Sequence, residues 1–282
     1  MTGEPRIVVL PEADAVSTAA AEHIADTLTA AVERQGVAHW ATTGGSAAIG
    51  IYHALATPPL RDRVPWHAVH LWWGDDRYVG RDHKLSNAFP ADAILLNTSA
   101  LSHQSGWGED AHDVRQGNDP GAPIPSSNVH AFPIAHAIGA SLGPAWAAAR
   151  YEQEMRAAGI PLEDGWPAFD LVILGVGPDG HILSVFPDSA ALDEERAWAM
   201  GVPAPNHVEP HVSRVTLNPR VVASARDVLV VAHGDGKAQI LGRVFGDERD
   251  PRRWPAQLAR RPGATWLLDE PAAARIPPGL RT

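Results

Sequence analysis

The sequence contains no cysteine among its 282 residues, so it can form neither a disulfide nor a thiolate metal site. It also lacks a hydrophobic run of transmembrane length. Its first residues do not place a basic segment before an apolar one, as a secretory signal does. From these absences we expect a cytoplasmic protein that has no membrane partner.

Positive charge is scarce, because 23 Lys and Arg residues stand against 33 Asp and Glu residues, for a formal net charge of −10. A nucleic-acid-binding surface needs a basic face, so we expect no nucleic-acid partner. A small anionic ligand stays compatible with this balance if a few basic side chains converge locally. The chain has 14 histidines but no H-x-H or H-E-x-x-H spacing, so we expect no metal site.

Short apolar runs alternate along the chain with stretches of helical periodicity. Such alternation predicts an α/β protein with a doubly wound, mostly parallel sheet and helices on both faces, a modified Rossmann-like arrangement. Strands are predicted at 6–10, 37–42, 69–73, 129–132, 169–174, 212–217, 227–232 and 265–268. We expect residues 1–282 to form a single domain. Residues 97–128 are rich in Gly, Ser, Asn, Asp and Pro, which predicts a loop insertion.

Two glycine-containing turns each connect a predicted strand to a predicted helix. Gly44, Gly45 and Ser46 follow the second strand, and a strand–turn–helix arrangement points free N–H groups at an anion. Lys237 follows a Gly-Asp-Gly turn and starts a helix, where a cation is unfavourable unless an anion is bound. The alternatives are an ordinary capped turn and a solvated lysine.

Charged residues also occur at or inside two other strands. Asp75 and Arg77 follow the strand 69–73, where they form either part of a ligand site or a surface salt-bridge cluster. Arg214 lies in an otherwise apolar strand, and an unpaired buried charge is costly. We therefore expect Arg214 to meet an Asp or an anionic ligand.

The apolar run 169–174 ends in a glycine-rich loop that brings Asp179 and His181 to the carboxyl end of a buried strand, where open α/β sheets bind ligands. Histidine ordinarily titrates near pH 6.5, so His181 is suited to act as a general base. The glycines at 175, 177 and 180 also match the dinucleotide fingerprint, which leaves a dinucleotide-dependent reductase as an alternative. Pro187 interrupts the long helix that this fingerprint requires.

Six sequence blocks occur together in an order that resembles the 6-phosphogluconolactonase family, part of a wider group with the glucosamine-6-phosphate deaminases. The blocks are TTGGS at 42–46, WWGDDRYV at 72–79, SN at 86–87, LGVGPDGHILSVFP at 174–187, SRVTLN at 213–218 and GDGKAQIL at 234–241. Arg77 stands where the deaminases carry Tyr, and residues 184–187 lack the catalytic Glu of the deaminases. The departures from the lactonase pattern are Asp76 for Glu, Ala47-Ala48 for Thr-Pro, and Ile182-Leu183 for Thr-Ala.

The resemblance implies hydrolysis of 6-phospho-D-glucono-1,5-lactone in the oxidative pentose phosphate pathway, with no cofactor. By this resemblance, the phosphate is held by Ser46, Arg214, Lys237 and the amides of Gly44 and Gly45. His181 would take a proton from water, Arg77 would stabilise the lactone oxygen, Asp75 would orient Arg77 or the sugar hydroxyls, and Asp179 would shape the loop.

Two further functions stay open beside the lactonase and the reductase. One is an enzyme that deaminates or isomerises an amino-sugar phosphate. The other is a sugar-phosphate sensor without catalysis, which would need Ser46 and Lys237 but not His181. The sequence leaves open whether the protein is a monomer or a homodimer.

Overall fold

Seven parallel strands form the central sheet of the protein, whose computed structural model describes residues 4–96 and 121–281. Most of the predicted insertion at 97–128 lies outside the described residues. The strands within them are β1 (Arg6–Leu10), β2 (Ala38–Thr42), β3 (Val69–Trp73), β4 (Asp75–Arg77), β5 (Val129–His130), β6 (Leu162–Glu163), β7 (Trp166–Pro167), β8 (Leu171–Gly175), β9 (Ala199–Val202), β10 (Arg214–Leu217), β11 (Val228–Ala232) and β12 (Ala264–Asp269).

Helices connect and cover these strands. They are α1 (Ala13–Gln35), α2 (Ser46–Ala56), α3 (Leu60–Arg63), α4 (Ala88–Pro90), α5 (Ile134–Gly139), α6 (Pro144–Ala157), α7 (Val221–Ser224), α8 (Ala238–Val244) and α9 (Glu270–Ala273). The longest of the described helices, α1, buries Val16, Ile24 and Leu28 on one face and ends at Gly36, which has a positive φ of 81°. In the described ranges, no helix combines the length and the apolar composition that crossing a membrane requires.

The central sheet has the strand order β1-β12-β11-β8-β2-β3-β5, and every neighbouring pair is parallel. This order confirms the predicted α/β class. From β2 the chain continues to β3 on one side, and from β8 it continues to β11 on the other side. The carboxyl ends of β2 and β8 therefore border the point at which the winding direction reverses, and ligands bind at this point in open α/β sheets.

A second, three-stranded sheet has the order β4-β10-β9 and is antiparallel, and we did not predict it from the sequence. Gly74 connects β3 to β4, so the chain passes from the central sheet into the small one within a single residue. The Gly74 amide donates to Thr42 O at 2.9 Å, and its carbonyl accepts from Leu217 N at 2.7 Å. The junction therefore hydrogen bonds to both sheets and fixes their contact beside β2.

The segment before residue 96 is helical but irregular. After α4, residues Ala91–Leu95 form a π-helix. Ser86 Oγ accepts from Ala88 N at 3.1 Å, but the Asn87 side chain does not cap the helix. It donates to Asp75 instead, at 2.9 Å to the carbonyl oxygen. The asparagine side chain is thus hydrogen-bonded to the first residue of β4.

Candidate active site

A cleft of about 230 Å³ opens beside the carboxyl ends of β2, β3 and β8. Loops after these strands and after β11 line it together with the small sheet. Seven predicted site residues line the cleft: Gly44, Gly45, Asp75, Arg77, His181, Arg214 and Lys237. Ser46 and Asp179 each follow a lining residue in the chain but do not line the cleft themselves. Among the described residues, no group of three or more His, Asp or Glu side chains is arranged to hold a metal ion.

The His181 imidazole is placed by the tight loop after β8. Gly177 N donates to His181 O at 2.9 Å, and Gly180 N donates to Gly177 O at 3.0 Å. A Cβ atom at Gly177 would lie 2.0 Å from His181 Nδ1, so the ring packs directly on the glycine backbone. His181 Nδ1 donates to Asp179 Oδ1 at 2.5 Å, because a carboxylate can only accept. In the neutral ring, Nε2 therefore keeps its lone pair and can accept a proton.

Asp179, one of the predicted site residues, contacts two histidines. Its Oδ1 faces His181 and its Oδ2 lies 2.8 Å from Nε2 of His207. Burial alone would raise the pKa of Asp179, but the hydrogen bonds from both histidines outweigh it and hold that pKa well below its usual range. Asp179 is therefore a carboxylate at neutral pH, suited to orient His181 and to stabilise its protonated form.

Asp75 is buried at the cleft and held by two side chains that we did not predict as site residues. Ser184 Oγ donates to Asp75 Oδ2 at 2.6 Å, and Asn87 Nδ2 lies 3.3 Å from Oδ1. A Cβ atom at Gly44 would lie 1.9 Å from Asn87 Oδ1, so Gly44 makes room for this amide. Both Ser184 and Asn87 lie inside the sequence blocks that carry the family resemblance, which was the available signal for them.

Arg77 and Arg214 lie directly opposite each other in the β4–β10 pair. Arg77 Nη1 donates to Leu85 O at 2.8 Å, while the Arg214 guanidinium donates to the carbonyls of Pro210 and Val212. Burial, followed by the charge of Arg77, lowers the pKa of Arg214. Like charges directly opposite each other are destabilising, so an anion in the cleft would relieve this repulsion.

Two further charged groups are Lys237, which lines the cleft, and Asp76, which is next to Asp75 in the chain. Lys237 Nζ donates to Val176 O at 2.7 Å, and burial lowers the pKa of this lysine although the charge of Asp179 opposes the shift. Asp76 does not line the cleft; it accepts from the amides of Arg77 at 2.8 Å and Asn87 at 2.6 Å. Burial raises the pKa of Asp76 to about 7. Asp76 thus anchors the backbone that presents Arg77 and Asn87.

Comparison with known proteins gives the same family for nearly all of the chain. Residues 11–268 match the family described as glucosamine-6-phosphate isomerases/6-phosphogluconolactonase. The chain is 34% identical to 6-phosphogluconolactonase of Mycobacterium tuberculosis, over 96% of this chain and 98% of that one. It is 29% identical to 6-phosphogluconolactonase of Streptomyces coelicolor, over 99% of this chain and 98% of that one.

Solved structures share the fold over nearly the same length. The structure of 6-phosphogluconolactonase from Leishmania guyanensis superposes with a TM-score of 0.77 at 28% identity and covers 96% of this chain and 98% of that one. That from Trypanosoma cruzi gives 0.78 at 25% identity, with 97% of each chain covered. The chain therefore belongs to the glucosamine-6-phosphate isomerase/6-phosphogluconolactonase family.

Proposed function

We propose that this protein hydrolyses 6-phospho-D-glucono-1,5-lactone to 6-phospho-D-gluconate in the cytoplasm, as part of the oxidative pentose phosphate pathway. The observation that carries the proposal is the cleft itself. It combines one imidazole, oriented by an anionic Asp179, with three basic side chains from three different segments. The similarity to relatives named 6-phosphogluconolactonase supports the same substrate.

The proposed chemistry begins at His181. Its Nε2 takes a proton from water while the water oxygen attacks C1 of the lactone, and the Asp179 carboxylate stabilises the imidazolium that forms. Negative charge then develops on the carbonyl oxygen, where Arg77 stabilises it. When the C1–ring oxygen bond breaks, the imidazolium returns the proton to the departing ring oxygen. Atoms and charge balance without any other reactant.

The phosphate is the part of the substrate that fixes its position. We assign it to Arg214, Lys237, the amides of Gly44 and Gly45, and Ser46, the first residue of α2. Ser46 is exposed and directly follows Gly45, which lines the cleft, so we assign its hydroxyl to the outer side of the phosphate. Holding one end of the substrate converts attack at C1 into an effectively unimolecular step. We assign Asp75, which is held by Ser184 and Asn87, to the sugar hydroxyls.

Two assays of the wild-type protein test this proposal against its nearest alternatives. We expect loss of 6-phosphogluconolactone faster than its spontaneous hydrolysis, and no ammonia release from glucosamine 6-phosphate. Ammonia release would indicate a deaminase instead. Thermal stabilisation by 6-phosphogluconate without any turnover of the lactone would indicate a sugar-phosphate sensor.

The phosphate assignment has its own test. Lys237→Ala should raise KM for the lactone by about tenfold or more while kcat changes little, because a lost ground-state contact to phosphate weakens binding rather than chemistry. An unchanged KM would remove Lys237 from the phosphate site.

A further inference from the structure

A second histidine binds the carboxylate that orients the proposed base. Asp179 Oδ1 lies 2.5 Å from His181 Nδ1, and Asp179 Oδ2 lies 2.8 Å from His207 Nε2. Because a carboxylate only accepts, both ring nitrogens carry protons and donate. Each imidazole therefore donates to a different oxygen of the same carboxylate.

His207 reaches this carboxylate from a separate segment of the chain. Asp179 and His181 belong to one tight loop, where His181 N also donates to Asp179 Oδ1 at 3.2 Å. His207 lies in the connection between β9 and β10, whose next residues, Val208 and Glu209, line the cleft. The Phe186 ring is packed beside both imidazoles, with centroid distances of 4.7 Å to His181 and 5.9 Å to His207. The hydrogen bond between His207 and Asp179 thus joins the loop that carries His181 to the β9–β10 connection, which forms another wall of the cleft.

The shared carboxylate couples the two histidines electrostatically. A hydrogen bond donated to a carboxylate disperses its negative charge and leaves less of that charge to stabilise a neighbouring cation. Donation from His207 therefore weakens the hold of Asp179 on a proton at His181. The same bond prevents the carboxylate from rotating away from His181 Nδ1.

We propose that His207 is a positioning residue of the hydrolytic site, which holds the Asp179 carboxylate in place and limits the basicity of His181. This rests on the proposed lactone hydrolysis, in which His181 must be unprotonated to accept a proton from water. Two other charged groups are near this cluster: Lys237, whose charge acts on Asp179, and Glu209, which lines the same cleft and pairs with His211 at 3.0 Å. Lys237 and Glu209 are unchanged in the His207 variants below, so altered activity or titration in those variants reports on His207.

Two substitutions of His207 and one control variant separate the effect of the hydrogen bond donated to Asp179 from the effect of ring packing. His207→Ala removes the donor, and His207→Gln keeps an uncharged N–H donor. His211→Gln is the matched control, because His211 lies on the same connection and bonds to Pro205 O at 2.8 Å and to Glu209 rather than to Asp179. His207 is 44% exposed, so its replacement leaves the core intact.

Two readouts apply to each variant. One is the pH dependence of kcat and kcat/KM for lactone hydrolysis. The other is the NMR titration of the His181 imidazole in the protein without substrate, with the resonance assigned by its absence in His181→Gln. The NMR readout does not depend on catalysis.

We expect His207→Ala to move the acid limb of kcat/KM and the His181 titration midpoint to higher pH by about half a unit to one unit. Its kcat at the pH optimum should fall about three- to tenfold with KM nearly unchanged, because the base is less firmly oriented. His207→Gln should recover most of kcat and return the midpoint toward that of the wild type. His211→Gln should match the wild type in both readouts.

The proposal is overturned if His207→Ala matches the wild type in both readouts. It is also overturned if His207→Gln shows the same shifts as His207→Ala, since the donated hydrogen bond would then have no effect. If the wild type does not hydrolyse the lactone, the proposed function fails separately, and the NMR titration still decides whether His207 acts on His181.

Discussion

An alanine at position 177 would occupy the space that the His181 imidazole fills. The added Cβ would lie 2.0 Å from His181 Nδ1 and 2.1 Å from Cε1, whereas ordinary van der Waals contact begins at 3.4 Å. The ring must therefore shift by about 1.4 Å, which breaks its 2.5 Å hydrogen bond to Asp179. Misplacing a catalytic group by about 1 Å costs on the order of 10²-fold in rate. We predict that Gly177→Ala lowers kcat by about that factor, or about 2.7 kcal/mol in the activation barrier.

The assay for this variant is lactone hydrolysis, with thermal unfolding measured alongside. KM should change by less than about threefold, because the proposed phosphate contacts lie on other loops. Gly175→Ala, at the last residue of β8, is the matched comparison, since its Cβ would meet only Thr43 Oγ1 at 4.0 Å. It should keep most of the activity. A folded Gly177→Ala protein with a kcat within about threefold of the wild type would refute the reasoning on how the imidazole is placed.

Three further predictions concern the surroundings of the cleft and the sheet. Asp76 has a folded-state pKa of about 7, above its unfolded value, so stability should fall as pH rises from about 4 to 7, by up to about 1.4 kcal/mol per pH unit. Asp76→Asn should remove this slope in urea titrations at successive pH values; an unchanged slope would contradict the assignment. Burial, with two neighbouring histidines, lowers the pKa of His39 to about 4. The stability that neutral His39 contributes is therefore fully present above about pH 6.5 and is lost as the pH falls toward 4. His39→Gln should flatten the stability profile in that acidic range, and a profile as steep as that of the wild type would count against it. Gly44→Ala should displace the Asn87 side chain, whose Oδ1 would lie 1.9 Å from the new Cβ, and reduce kcat/KM with little loss of thermal stability; full activity would show that the position of Asn87 is unimportant.

Much of the sheet was predictable because its strands are continuous apolar runs. The predicted strand 69–73 has the same bounds as β3, and the predicted strand 227–232 differs from β11 by one residue. Burial on both faces produces such runs, so the signal is local and strong. The small sheet was missed because it depends on pairing between β4 and β10, which are far apart in sequence. Such pairing leaves no local pattern.

The site was only partly predictable for a related reason. Glycine-rich loops at strand ends indicated which backbone segments meet, and seven of the predicted residues do line one cleft. The spacing of Asp179 and His181 did not reveal that the carboxylate points to the ring rather than into the cleft. His207 is a half-exposed histidine in a connection without regular structure, one of 14 histidines, so nothing in its neighbourhood distinguished it.

The central claim is that His181 activates water for attack on the lactone. Its most direct test measures the disappearance of 6-phosphogluconolactone at neutral pH, with the lactone made in place from glucose 6-phosphate. Wild type and His181→Ala are run side by side, and each rate is corrected for spontaneous hydrolysis. We predict a wild-type rate far above background and a kcat reduced by about 10²-fold or more in the variant, with KM nearly unchanged. A near-normal kcat for His181→Ala would remove this histidine from the mechanism.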